Sequence, residues 1–423
     1  MLEFLLKKLN KPKTDEASVI INPVRSIQGG ILFDENVQTA NIKSVTVSDV
    51  NSVSILMRQE PNGTENIPAV KTGDKVYAGQ IIGNPPENDG AFIHASVSGV
   101  VDKINDVQTV GGKITKNVVI KSDGCMIIDK TITPSQVKTK EEFAQAIKKS
   151  GLKSDFLKKS IDTLIVNALD CDFYSSVKCR EIIENTNGIA VGIASIIKFC
   201  QIKRTIIVVS NKEKNAINIL ETKIKTNPDF LKNVHIMPVP PVYPSSNPLL
   251  AAYIAVGTDT ENHFHMEICD VGFIGTYLKT GVPLITKRVT AAGSALRNPV
   301  NLVVPIGCSV GDVIFGASGL KRRAGKIIVG NVMTGQVIST MEKALTKSDD
   351  TIIAIDMSGI KPKQTGDCIR CGKCTDVCPA GIIRVKLLPF MLPFSKKNKN
   401  ENCLFCNCCD YICPAGITKD GQT

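Results

Sequence analysis

Along the first third of the chain, hydrophobic positions come in short alternating runs broken by turn signals. The runs "SVTVSDV", "SILMRQ", "IPAV", "KVYAGQIIG", "AFIHASVSGVVDKI" and "KNVVIKSD" carry the two-residue period of strands with one buried face. They predict an all-β module over residues 41–130, after an irregular lead-in, residues 1–40, built around "SIQGGILFDEN". Over residues 135–295 the pattern changes. "DTLIVNAL" and "RTIIVVS" are unbroken apolar runs of strand length, "NVHIMPV" is a weaker third, and helical stretches around residues 177–199 and 212–225 separate them. Strands buried on both faces and alternating with helices predict a parallel α/β layer. Residues 296–360 return to short strands with glycine turns, "NLVVPIGCSVGDVIF" and "KIIVGNVMTGQVIS", a small β-rich domain. "KPKQTGD" then leads into a cysteine-rich module, residues 361–423. The expected fold class is multidomain α/β plus β.

Composition narrows the function classes. The chain of 423 residues is 43% hydrophobic and 22% charged, and no apolar run approaches the ~20 residues of a membrane-spanning helix. The opening "MLEFLLKKLNKPK" sets apolar residues before lysines, the reverse of a secretory signal. A cytoplasmic protein is expected, with at most peripheral contact at the membrane. Of 15 cysteines, eight fill two terminal motifs, and the rest (Cys125, Cys171, Cys179, Cys200, Cys269, Cys308, Cys408) are scattered, as in a reducing compartment. The net charge of +11 would ordinarily raise nucleic acid as a partner. No nucleic-acid module is present, and the basic runs at residues 7–13 and 396–399 read as solvated segments.

The chemistry lies in two near-copies, "CIRCGKCTDVCPAG" and "CLFCNCCDYICPAG". Cys368, Cys371, Cys374 and Cys378 precede Pro379, and Cys403, Cys406, Cys409 and Cys413 precede Pro414, so both follow C-x2-C-x2-C-x3-C-P. In this spacing three cysteines wrap one cubane and the fourth ligates the other. The expected sets are Cys368, Cys371, Cys374 and Cys413 for one 4Fe-4S cluster, and Cys403, Cys406, Cys409 and Cys378 for its twin. A zinc ribbon also uses paired C-x2-C elements, but four cysteines in eleven residues, a trailing proline and a complete second copy favour iron–sulfur. Two cubane cores held by eight thiolates add about −4 and lower the loaded charge to about +7. Such a module carries single electrons and has no open coordination site for a substrate. Cys408 falls outside the spacing and is expected as a small buried residue. The segment "RVKLLPFMLPFSKKNKN" between the motifs is a candidate contact face.

Within the β module, "VKTGDKVYAGQIIG" followed by "HASVSGVV" resembles the biotinyl and lipoyl hammerhead, with "NPPENDGAF" where a carrier lysine would lie. Those stretches, together with "DTLIVNALDCDFY", "GVPLITKRVTAAG", "NPVNLVVPIG" and the cysteine motifs, resemble in their order the RnfC family, a component of the Rnf ferredoxin:NAD oxidoreductase. The resemblance implies a barrel-sandwich hammerhead, an α/β domain like the flavin- and NADH-binding subunit of respiratory complex I, a small β-grasp (SLBB-like) domain and a two-cluster ferredoxin-type module. It also implies redox protein partners: a reductase, the Rnf complex or a ferredoxin.

Two elements depart from the family. The glycine-rich loop that lets backbone approach FMN is replaced by "AIKKSGLKSDFLKKSIDTLIVNA", with one glycine. The glycine, acid and lysine expected after a Tyr-Pro are replaced by Ser245, Ser246, Asn247 and Pro248. Both argue against FMN bound by the family's route, with the α/β domain left as a docking scaffold. The ten residues after Cys413 are fewer than in Rnf-type proteins. These departures favour a soluble member, the electron-transfer protein that accompanies D-proline reductase in amino-acid fermentation. The alternatives are an FMN-containing NADH-dependent reductase like the cobalamin reductase, or the RnfC component of a membrane Rnf complex. An electron-transfer component is expected rather than a stand-alone enzyme. Asp170 and Asp172 keep acids where the family has them, and a capping role is the expectation. Cys171, Cys179 and Cys308 are expected as inert buried thiols. His94, His235, His263 and His265 form no ligand set, the last pair reading as a polar loop.

Overall fold

The computed structural model describes residues 18–33, 38–59, 63–86, 90–109, 112–158, 161–257, 262–359, 366–382 and 403–417. The basic runs at 7–13 and 396–399 and the "LLPFMLPF" segment lie outside them.

The α/β layer is a four-stranded parallel sheet in the order Val234–Val239, Arg204–Ser210, Thr163–Ala168, His263–Glu267. The first three are the runs read from the sequence, and the inner two are almost wholly buried. The fourth corrects the sequence reading. His263 and His265 stand in a strand, not a loop, paired in register with Thr163 and Ile165. An edge strand covered on one side tolerates the polar alternation that disguises it. Helices Lys140–Ser150, Val177–Glu184, Thr186–Cys200, Lys214–Lys225 and Ile268–Thr280 cover the sheet. The first of them starts at a capping box between Thr139 and Glu142 and stops at Gly151, which is left-handed at φ 94°.

The β module forms two sheets. One has the order Ser52–Leu56, Ile114–Ser122, Gly99–Gln108, Lys75–Val76, and the other Ile67–Pro68, Ile81–Asn84, Ile93–His94. The small β domain is a mixed sheet in the order Gln336–Ile338, Ala324–Val329, Thr351–Asp356, Thr286–Ala292, Val300–Pro305, Val45–Thr46. Thr286–Ala292, which the sequence reading puts at the end of the α/β region, therefore belongs here, antiparallel to Val300–Pro305 and parallel to Thr351–Asp356. The β module and the small sheet share one apolar core, in which Val53, Ile55 and Ile120 join Val289, Leu302 and Ile352.

Helices Thr186–Cys200 and Ile268–Thr280 approach backbone to backbone. A Cβ on Gly275 would lie 2.0 Å from the Gly188 carbonyl oxygen, and one on Gly192 would lie 2.0 Å from that of Val271. Only glycine permits this crossing. Gly275→Ala is expected to lower stability by about 1–3 kcal/mol, the usual cost of overpacking, in urea unfolding at neutral pH; an unchanged midpoint would show that the helices separate freely.

Candidate functional site

The two cysteine motifs repeat each other in backbone as well as in sequence. Arg370 and Gly372 take positive φ angles of 55° and 78°, and their counterparts Phe405 and Asn407 take 53° and 60°. Left-handed residues alternating along a loop turn successive N–H groups inward, a concavity suited to an anionic guest. Short helices Lys373–Asp376 and Cys408–Ile412 follow, each holding the third cysteine of its motif. The fourth cysteine then closes a Pro-Ala-Gly turn, with Gly381 N–H donating to the Cys378 carbonyl at 3.0 Å and Gly416 to that of Cys413 at 3.2 Å.

The halves interlock. Gly366 N–H donates to the Ala415 carbonyl at 2.9 Å, setting the segment after Cys413 beside the start of the first motif. On the other side, the buried Cys408 thiol is held far above its usual range by a hydrogen bond with Cys406, then by burial, with Cys409 and Cys378 adding to the shift. Val377, next to Cys378, shares a small apolar core with Cys408, which sets the end of the first motif against the second. Among the described residues no three His, Cys, Asp or Glu side chains converge as on a single metal ion. The thiolates of a cubane each bind a different iron, so eight thiols on two inward-turned loops fit a pair of such clusters. The clusters would supply one-electron transfer.

The module is docked on the body by contacts that the sequence reading does not single out. Gly30 N–H donates to the Val377 carbonyl at 2.8 Å, and a Cβ on Gly29, at φ 71°, would lie 2.7 Å from the same oxygen. Tyr243, 4% exposed, donates its hydroxyl to the Cys406 carbonyl at 2.9 Å. Asn407 Nδ2 donates to the Met333 carbonyl at 2.9 Å. Phe33 stacks edge-on against Phe173 and Tyr411, centroids 5.9 Å apart in both pairs, and meets Tyr243 at 6.0 Å. The paired glycines ahead of "ILF" are the one local signal, since adjacent glycines mark close backbone approach.

The second feature is a cavity of about 770 Å³ between the α/β layer and the two β units. It runs along the edge strand His263–Glu267, whose residues 264–267 all line it, beside the pair of strands at which the strand order reverses. Asn167 Nδ2 donates to Glu267 Oε1 and to the Ser246 carbonyl, both at 3.0 Å, and Lys178 Nζ lies 2.6 Å from Glu267 Oε2. Burial alone would raise the Glu267 carboxyl, but Lys178 and His265 outweigh it and hold the group below the usual range. His265 Nε2 lines this space and is buried without a hydrogen-bond partner.

The cavity has room for a mononucleotide. Three of its cations are already matched: Lys178 by Glu267, Lys287 by Asp350 at 2.7 Å, and Arg288 by Glu181 at 3.2 Å and by Glu184. The carbonyl of Gly151, the one glycine of the shortened loop, accepts from Lys347 Nζ at 2.7 Å. FMN therefore fits by volume, whereas among the described residues no glycine-rich loop lines the cavity as a phosphate cradle.

Away from the cavity lining, Asp170 makes the capping contacts expected of it. Asp170 accepts from the backbone N–H of Cys179 at 2.9 Å and from Ser175 Oγ at 3.1 Å, so it caps the start of Val177–Glu184. Burial pushes Asp170 and Asp172 up to about 6 each. Burial likewise raises the thiols of Cys171 and Cys308 to about 12 each and that of Cys179 further, leaving none of them a ready thiolate.

Three family descriptions match along the chain: the RnfC barrel sandwich hybrid domain over residues 25–125, the Nuo51 FMN-binding domain over 143–273, and a 4Fe-4S dicluster domain over 367–418. The chain is RnfC-like. Among its relatives is the RnfC component of the proton-translocating ferredoxin:NAD(+) oxidoreductase complex of Clostridium ljungdahlii, 24% identical over 383 residues, covering 84% of this chain and 82% of that protein. The equivalent component of the Na(+)-translocating complex of Acetobacterium woodii is 26% identical, covering 75% of this chain and 76% of that one. That of an ion-translocating oxidoreductase complex of Rhodobacter capsulatus is 25% identical, covering 88% and 76%. A solved NAD+-reducing [NiFe]-hydrogenase aligns with a TM-score of 0.44 at 11% identity, covering 53% of this chain and 50% of that one. The RnfC-like chain thus joins a barrel-sandwich hybrid domain, an FMN-binding-type domain and a two-cluster module for iron–sulfur electron transfer. Among the described residues no helix is long and apolar enough to cross a membrane.

The raised Asp170 sets a pH dependence. Its folded carboxyl, at about 6 against an ordinary 3.8, keeps its proton where the unfolded chain has lost it, so stability falls as pH rises from about 4 to 6 and the cost stays in full above that. Asp170→Asn removes the titration and keeps an acceptor oxygen. Relative to wild type it is expected to gain about 1–2 kcal/mol in urea melts between pH 5 and pH 8; a pH-independent difference would assign Asp170 an ordinary acidity.

Proposed function

We propose that this protein is an electron-relay component of the Rnf type, carrying electrons through two 4Fe-4S clusters within a ferredoxin:NAD oxidoreductase system. Cys368, Cys371, Cys374 and Cys413 hold one cluster, and Cys403, Cys406, Cys409 and Cys378 hold the other. The observation that carries this reading is the interlocked pair of cysteine loops seated on an FMN-binding-type domain. The three relatives belong to ferredoxin:NAD or ion-translocating oxidoreductase complexes, and nothing among them supports D-proline reductase as the partner, so that expectation gives way to its alternative. We read the mixed sheet as a β-grasp unit, because a parallel pair at its centre is flanked by two antiparallel hairpins. A place at the cytoplasmic face of the membrane, held by partner proteins, follows from the same reading.

A second reading, with FMN in the cavity, is favoured by its volume and by its place against the FMN-binding-type domain, along the strand His263–Glu267. One inventory tests both. Anaerobically reconstituted protein is expected to hold about eight iron and about eight sulfide per chain, falling to about half in Cys371→Ala and in Cys406→Ala. Zinc in place of iron would overturn the relay. Flavin near one per chain, bleached by NADH, would establish the second reading alongside it.

A further inference from the structure

The two clusters of the proposed relay are not equivalent in their surroundings, and the contacts to the body fall unevenly between them. Tyr243 of the α/β layer donates to the carbonyl of Cys406, and Asn407, the next residue, donates to Met333 of the small β domain. Cys408 is 0% exposed and shares a small apolar core with Tyr243 and Val377, against which Ile31, Phe33 and Met333 pack. Val377 in turn precedes Cys378, and its packing against Cys408 sets that first-motif cysteine against the second motif. The hydrogen bonds among these attachments fall beside one ligand set, Cys403, Cys406, Cys409 and Cys378, whereas the apolar contacts of Tyr411 and Ile412 also reach the residues before Cys413.

The other set is the more open one, with its Cys374 and Cys413 half-buried and its first two cysteines bare. Cys368 and Cys371 are exposed, the whole stretch 367–371 is exposed, and Ile369 is 66% exposed. The hydrogen bond from Gly366 to Ala415 ties that stretch to the other half of the module itself. In the second motif Phe405 and Tyr411 are exposed, yet Cys403, Cys406 and Cys409 are each half-buried.

We propose that the relay has a fixed order: the second-motif cluster is the inner one, joined to the α/β layer across the Tyr243–Cys406 contact, and the first-motif cluster is the outer one, through which electrons pass to or from another protein. The order rests on the two-cluster reading above. Tyr243 is a positioning residue in it: its hydroxyl fixes the loop carrying Cys406, and its ring, with Phe33 and Phe173, fills the space between that loop and the ends of the parallel strands. One electron leaves a reduced cluster for each one gained by its neighbour, so no proton or further reactant is required.

The test uses the full chain, reconstituted anaerobically. Iron and sulfide are counted first, and their absence would defeat the two-cluster reading and not the order. With both clusters present, partial reduction by dithionite gives two electron paramagnetic resonance signals. Arg370→Glu, which places a negative charge beside the first motif, lowers the midpoint of one of them and so marks the outer cluster. A dysprosium chelate, which stays in solvent, is then added to the wild-type protein, and microwave power saturation is read for each signal. The marked signal is expected to relax about threefold or more faster, and the other to change by much less. Equal enhancement of both, or a larger effect on the unmarked signal, overturns the order. Tyr243→Phe is expected to narrow the difference by loosening the seat of the inner cluster, with iron content unchanged; an unaltered difference removes Tyr243 from the proposal and leaves the order to the first comparison.

Discussion

The constraint on which the proposed ligand sets depend is that the fourth cysteine of each motif would reach across to the other motif. Neither loop can then fold as a finished unit, and the halves have to meet face to face before either ligand set closes. The structure brings the halves together with the bond between Gly366 and Ala415 on one side and the packing of Val377 against Cys408 on the other. A module interlocked in this way is a small rigid body with two unlike outer faces. Whichever face meets the rest of the chain decides which cluster is buried, and Tyr243, Gly29 and Gly30 make that choice.

The cavity follows a different logic. Its position comes from the sheet edge, since the strand His263–Glu267 has, among the described residues, no further strand beside it and the β units close over that side. Its character comes from side chains, and those pair with one another. Lys178 with Glu267, Lys287 with Asp350, and Arg288 with Glu181 and Glu184 cancel the charge that an incoming phosphate would need. Burying an ion pair costs desolvation, and such pairs persist where each partner would otherwise stand alone. Architecture and lining therefore carry separate messages, and the resemblance to an FMN-binding domain speaks to the first.

Legibility in the sequence tracks locality. The cysteine motifs can be read because all their information lies within a few residues, and Thr163–Ala168 and Arg204–Ser210 because burial on both faces leaves an unbroken apolar run. His263–Glu267 escapes because an edge strand may alternate, and histidines in such a pattern imitate a loop. Thr286–Ala292 goes to the wrong neighbour because one of its partners, Thr351–Asp356, lies some sixty residues on, and nothing in "TKRVTAA" points there. The seam around Tyr243 is invisible for the same reason: Cys406 is 163 positions away.

An electron relay needs its stations held at constant separation, and the body meets that need with a buried polar knot, not with apolar packing alone. Asn301 Nδ2 donates to the Thr39 carbonyl at 3.0 Å and to Ser176 Oγ at 2.8 Å, while its Oδ1 accepts from Thr290 at 2.6 Å. Thr39 belongs to the lead-in, Ser176 to the α/β layer, and Thr290 and Asn301 to the mixed sheet; each is at most 2% exposed. Apolar contacts alone would let these units slide by a fraction of a residue at small cost. A satisfied buried network has one arrangement and loses heavily in any other. The lead-in that ends in this knot carries Gly29 and Gly30, against the cysteine module. The same short segment therefore fixes the α/β layer to the β units and the clusters to both.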